Sequence, residues 1–197
     1  MFYRTLAVIL RFIFKLCFNA KATGRENVPK EGAVIMAANH MSNFDPPFLG
    51  CFSPRPVNYM AKIELFENKI FASIISALGA FPVKRGQADK GAIKKAASLL
   101  KSGETLGIFP EGTRSKTGEV QKGEIGVAMF ASMANAPVVP VAIIGTNEMF
   151  SEKKKFPDLT LIFGEPMFFE GNRKNKEDLE KFSEQVIEEI KKLKNRE

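Results

Sequence analysis

The chain has 197 residues, 45% hydrophobic and 26% charged; this near-average globular balance excludes wholesale disorder and leaves one domain long enough to bury a substantial core. A formal charge of +7 and a pI near 9.4 favour a polyanionic partner, whether nucleic acid, an anionic membrane or a phosphorylated substrate, without choosing among them. The two cysteines, Cys17 and Cys51, form no metal-type spacing and no framework of bridges, so a reducing compartment is the default.

The opening segment MFYRTLAVILRFIFKLCFNA is apolar apart from Arg4, Arg11 and Lys15. On a helical wheel Arg11 and Lys15 fall within roughly 20° of Arg4, so the cations form one narrow stripe and bulky apolar residues occupy the rest. The unbroken apolar stretches are shorter than the about 20 residues a spanning helix needs. Arg11 and Lys15 also interrupt the apolar region that a signal peptide would place before Ala20-Lys21-Ala22. Two readings stay open. The helix packs on the domain with its cations outward, or residues 1–22 lie in a membrane interface with the cations toward anionic headgroups. The wide apolar arc favours the second, and the domain proper then runs over 23–197.

After the connector TGRENVPKEG the pattern alternates between strands and helices. AVIMAAN predicts a short buried strand running up to His40, and VNYMA another. ELFENKIFASIISALG has helical period, AFPVKR is a short strand or turn, and ADKGAIKKAASLLKSG is an amphipathic helix stopped by Gly103. ETLGIFPEGTRS reads as a strand delivering a polar loop, GEIGVAMFASMANA as a helix, and PVVPVAIIG and LTLIFGEPM as strands. The tail KEDLEKFSEQVIEEIKKLK sets Leu179, Phe182, Val186, Ile190 and Leu193 on one face, the pattern of a docking helix. The lysine cluster in SEKKKFPD reads as a solvated loop. The alternation predicts a single α/β domain whose sheet is largely parallel or mixed.

The chemistry-bearing residues fall in loops at predicted strand ends, where such sheets gather their sites. His40 is the only histidine, and Asp45 follows five residues later in NHMSNFDP. Five residues on one helix differ by about 140° around the axis, so the two side chains meet only if the chain turns between them. Ser42, Asn43 and the Asp45-Pro46-Pro47 run supply turn chemistry and a start for a following helix. Taken alone, the pair is either a buried imidazole beside an N-cap, or a dyad. In the dyad Asp45 fixes one ring nitrogen and the other takes a proton from a hydroxyl. No second histidine or cysteine pair completes a common zinc site, and Ser42 is a weak nucleophile candidate because its partners would all come from one short turn. In FPEGTRS, Glu111, Gly112, Thr113 and Arg114 offer a carboxylate, a permissive backbone, a hydroxyl and a forked cation, a set suited to a polyol phosphate, or else a polar turn with a local ion pair. Arg85 in GAFPVKRG and Lys62 in AKIELF add basic groups near strand ends.

Four blocks in order, NHMSNFDP, GAFPVKRG, FPEGTRS and PVVPVAI with Pro140, resemble those of the glycerolipid acyltransferases, most closely the bacterial lysophosphatidic acid acyltransferase family. The resemblance runs from about residue 23 to 146. It implies that His40 is the general base and Asp45 orients it. It further implies that Arg85 and the Glu111–Arg114 block bind the glycerol phosphate, with a looser phosphate role for Lys62. The implied reaction moves an acyl chain from acyl-ACP or acyl-CoA to the free hydroxyl of lysophosphatidic acid, giving phosphatidic acid without an acyl-enzyme. No cofactor or metal is implied, and the implied place is the cytoplasmic face of the cell membrane, peripheral or monotopic. Pro82 and Lys84 depart from the second block in detail, which bears on acceptor preference; other lysophospholipid or glycerol-phosphate acceptors stay open. The rival from charge alone is a basic module binding nucleic acid or anionic membrane. Against the nucleic-acid version, the phenylalanines sit in apolar periods instead of interleaving with Lys and Arg as stacking platforms.

Overall fold

The computed structural model describes residues 2–84, 89–115, 117–152 and 154–196. Among these, strands β1 (Lys21–Thr23), β2 (Val34–Ala38), β3 (Val57–Lys62), β4 (Ala80–Val83), β5 (Thr105–Ile108), β6 (Val138–Ile144) and β7 (Thr160–Phe163) form one sheet in the order β1-β7-β6-β2-β5-β3-β4. Every neighbouring pair is parallel except β6 with β7, so the sheet is mixed, as the alternation predicts. Helices α1 (Phe2–Phe18), α2 (Asp45–Phe52), α3 (Lys69–Ala77), α4 (Lys90–Lys101), α5 (Gly126–Ala134) and α6 (Lys176–Lys194) cover it. All five residues of β2 are buried, as expected for a strand with both faces covered.

Alternation along the strands sorts the core into two layers. Val34, Met36 and Ala38 face α1 and α2, while Ile35 and Ala37 face α4, α5 and α6. Leu179, Phe182, Val186, Ile190 and Leu193 are all buried, so the apolar stripe of α6 docks as its periodicity requires. The steps β2–α2–β3 and β3–α3–β4 move across the sheet in one direction, and right-handed crossovers therefore put α2 and α3 on the face that α1 covers.

The predicted helix over 64–79 is broken in two. A 3-10 turn ends at Phe66, and the Asn68 carboxamide accepts from the Ile70 and Phe71 N–H groups, capping a fresh start for α3. β1 corrects the boundary drawn after residue 22: Lys21 and Ala22, read as part of the N-terminal helix, and Thr23 of the connector form a strand, and three residues carry too little periodicity to be seen as one.

Helix α1 combines a packed inner side with an exposed apolar outer side, and it departs from the predicted cation stripe at Arg11. Its inner side buries Ala7, Phe14 and Phe18, with Phe14 5.1 Å from Phe48 of α2, yet Phe12 and Leu16 stand 65% and 72% exposed. Arg11 turns inward instead of outward: its Nε donates to the Cys51 carbonyl at 2.6 Å, in the last turn of α2, where unpaired carbonyls favour a cation. Lys15 is exposed, and the Arg4 side chain lies outside what is described. No helix among the described residues is long and apolar enough to cross a membrane.

At the amino edge of the sheet Arg55 joins three loops. It donates to the carbonyls of Pro29 and Gly32 through Nη1 and of Gly103 through Nη2. Arg55→Ala is expected to cost about 2–3 kcal/mol, since charged donors would leave carbonyls behind in a half-buried site. Urea unfolding should show a lowered midpoint at unchanged slope; an unmoved midpoint would contradict the role.

Candidate active site

Parallel strands β2, β5 and β6 all end at one edge, and the chain leaves that edge through three loops. β2 delivers Asn39 and His40, and Asn39 closes the strand by mimicking backbone: its Nδ2 donates to the Ile143 carbonyl and its Oδ1 accepts from the Ile143 N–H. The turn that follows brings His40 Nδ1 to 2.8 Å from Asp45 Oδ2. Asp45 is fully buried and opens α2, with prolines in its first turn, but it is no N-cap: it points back to accept from the Met41 and Ser42 N–H groups at 2.6 and 2.7 Å, also on Oδ2. Oδ1 accepts from the Thr146 hydroxyl at 2.5 Å, across 101 residues of sequence. Two backbone N–H groups and a hydroxyl donate to Asp45, so its oxygens act as acceptors; the tautomer that matches them carries the ring proton on Nδ1 and leaves Nε2 as the acceptor. Ser42 Oγ accepts from the Phe44 N–H.

The FPEGTRS loop braces this turn from below. Glu111 is buried, with Oε1 accepting from the His40 N–H and Oε2 from the Gln121 N–H. Burial pushes its carboxyl above the usual range, opposed by those two hydrogen bonds. The Ser115 N–H donates to the His40 carbonyl. Gly112 adopts φ 67°, a conformation in which glycine carries no steric cost, and leads into exposed Thr113 and Arg114. Arg114 Nη1 reaches Asn43 Oδ1 at 2.9 Å, joining the two loops. The imidazole stacks on Phe109 at 4.2 Å, and Phe109 stacks in turn on Tyr59 at 6.3 Å. Gly107 leaves room for that column, since a Cβ there would lie 2.4 Å from the Tyr59 ring.

The structure therefore brings His40, Asp45, Glu111 and Arg114 together, with Gly112 and Thr113 on the same loop. Lys62 is exposed at the end of β3, paired in register with Val83. Arg85 lies outside the described residues. Asn39, Thr146, Gln121 and Phe109 escape sequence reasoning as site residues. Asn39 and Thr146 act through partners more than 100 residues away, which no local spacing reveals.

A buried histidine–carboxylate pair lies at the carboxyl edge of a mixed α/β sheet, with the Arg114 loop beside it. The family model for acyltransferases matches residues 19–144, and the chain belongs to that family. It is 36% identical to the 1-acyl-sn-glycerol-3-phosphate acyltransferase of Bacillus subtilis over 98% of both chains. It is 29% identical to the protein of the same name from Streptococcus pneumoniae, over 98% of this chain and 73% of that one. The crystal structure of the 1-acyl-sn-glycerophosphate (LPA) acyltransferase PlsC from Thermotoga maritima matches with a TM-score of 0.75 and 28% identity, over 98% of this chain and 78% of that one.

Proposed function

We propose that the chain is a 1-acyl-sn-glycerol-3-phosphate acyltransferase, moving a fatty acyl group from acyl-ACP or acyl-CoA to the free hydroxyl of lysophosphatidic acid. The observation that carries this reading is the His40–Asp45 contact, which commits Nδ1 to the carboxylate and leaves Nε2 to accept a proton. In the proposed step Nε2 takes the acceptor's hydroxyl proton as its oxygen attacks the thioester carbonyl. A tetrahedral intermediate forms, collapses and expels the thiolate, which recovers the proton; phosphatidic acid and the free thiol leave. Asp45 stabilises the imidazolium during that interval. Arg114, Thr113 and the Gly112 backbone meet the glycerol phosphate, with Arg85 and Lys62 adding positive charge, while Glu111 holds the loop beneath His40.

Direct transfer fits the state of the buried cysteine. Cys51 is buried, and burial pushes its thiol up to about 11 with Arg11 only partly opposing, so it offers no thiolate to acylate. The enzyme works at a membrane surface, on the cytoplasmic face, held by the outward apolar side of α1. The test is a panel on purified protein: both donors against lysophosphatidic acid, glycerol 3-phosphate and lysophosphatidylcholine. Transfer to lysophosphatidic acid should exceed the others by at least about tenfold in kcat/KM, since lysophosphatidylcholine masks the phosphate with choline and glycerol 3-phosphate lacks the acyl chain. Equal or better use of either alternative acceptor would overturn the assignment.

A further inference from the structure

The lysine loop that the sequence suggests is merely solvated has an unusual flank. Phe150 and Phe156 bracket it with 57% and 56% of their surfaces exposed. Both rings are rooted on buried Phe18 at the end of α1, at 5.7 and 5.5 Å, and they lie 6.2 Å from each other. Phe150 also lies 5.7 Å from Phe44, a residue of the turn between His40 and Asp45. The loop is built, not slack. The Phe150 N–H donates to the Lys155 carbonyl, and Ser151 Oγ both donates to the Lys154 carbonyl and accepts from the Lys154 N–H. Phe150 itself sits at φ 58°, where a bulky aromatic is a genuine outlier, so the fold holds this ring outward against local preference.

We infer that residues 149–152 and 154–157 form a second membrane-contact element, inserting Phe150 and Phe156 into an anionic lipid surface beside α1 and at the mouth of the catalytic turn. The inference rests on the proposed action at a membrane and names a surface that α1 alone does not supply. Packed on Phe18, the two rings stand at the carboxyl end of α1, the helix whose outward Phe12 and Leu16 are also exposed, and exposed apolar groups gathered in this way mark an interaction site. Exposed Lys154 and Lys155, with Lys15 on α1, place flexible cations at its rim, where they reach headgroup phosphates while the phenyl rings enter the acyl boundary. Lysines alone would suit an acidic protein equally; two exposed phenyl rings flanking them favour lipid. On its other side the loop reaches the site: Lys154 and Pro157 line a polar cavity of about 490 Å³ together with Met41 of the catalytic turn.

The test uses the full chain with vesicles of phosphatidylcholine containing phosphatidylglycerol. Phe150→Ser/Phe156→Ser should lower vesicle partitioning by about tenfold or more, given the apolar area withdrawn. Its thermal midpoint should stay well above the assay temperature, and its turnover of a monomeric short-chain lysophosphatidic acid should match wild type. Phe12→Ser/Leu16→Ser on α1 serves as the comparator. If the loop variant binds vesicles like wild type while the α1 variant does not, the loop inference falls and the membrane reading of α1 stands. If wild type itself ignores anionic vesicles, both fall. If the loop variant keeps vesicle binding but loses kcat/KM only with acyl-ACP, the surface belongs to the carrier protein and the lipid assignment is overturned.

Discussion

His40→Ala is expected to lower kcat by about a thousandfold or more, with the acceptor KM little changed. General-base catalysis by one side chain contributes about 10²–10⁴ in rate, and a thousandfold loss corresponds to about 4 kcal/mol of transition-state stabilisation. The chain has no second histidine to take over. The acceptor's phosphate would be held elsewhere, on the Arg114 loop, so an interaction made only in the transition state is removed and KM should not follow kcat. The structure also says why this variant should fold. His40 anchors its loop through backbone, its N–H to Glu111 and its carbonyl from Ser115, and alanine keeps both bonds. What disappears is the ring stacked on Phe109 and one of the four donors to Asp45. Steady-state kinetics paired with a thermal melt separate the two effects. A folded variant turning over near the wild-type rate would end the general-base reading.

That much of the site was legible because its chemistry is local. Five residues separate His40 from Asp45, turn formers lie between them, and the geometry of a helix already requires a bend for the two to meet. The docking face of α6 was legible for the same kind of reason: one period, uninterrupted, with buried residues at every predicted position. The break at Asn68 was present in the sequence as a capping residue inside a helical period, and there the long period masked a local signal. Other features were not in the local sequence at all. The reversal of β7 against β6 and the pairing of β1 with β7 depend on which hydrophobic faces find each other after collapse. Arg11 sits in the predicted cation stripe, but the carbonyl it binds belongs to a helix that begins 34 residues later, so its inward turn is a tertiary choice. Glu111 carries the same lesson at the site: its residue type suggests a hydroxyl ligand, whereas the fold places both its oxygens on backbone N–H groups.

Asp45→Asn should cost about a hundredfold in kcat, less than the loss of His40, and the reason lies in how the donors are divided. His40 Nδ1, the Met41 N–H and the Ser42 N–H all converge on Oδ2, whereas Oδ1 meets only the Thr146 hydroxyl. An asparagine can therefore place its amide oxygen where Oδ2 was and its NH₂ toward Thr146 Oγ1, since a hydroxyl accepts as readily as it donates. In that orientation the ring keeps its tautomer, and the variant forfeits the negative charge that stabilises the imidazolium. A hydrogen bond to a charged group contributes about 1.5–3 kcal/mol, and a hundredfold loss, about 2.7 kcal/mol, lies near the upper end of that range. Asp45→Ala, by contrast, strips every donor of its acceptor and should fall to the level of His40→Ala with a clearly lowered melting point. Thr146→Val supplies the decisive comparison. In the wild-type background it removes one donor to Oδ1 and should slow kcat by only about tenfold. In the Asp45→Asn background it removes the acceptor for the NH₂ group, but the Met41 and Ser42 N–H groups still demand an oxygen at the Oδ2 position, so the amide keeps its orientation and the ring its tautomer. The double variant should then lose about the product of the two single effects. A loss well beyond that product, toward Asp45→Ala, would show that Thr146, and not the two backbone N–H groups, sets the orientation of residue 45.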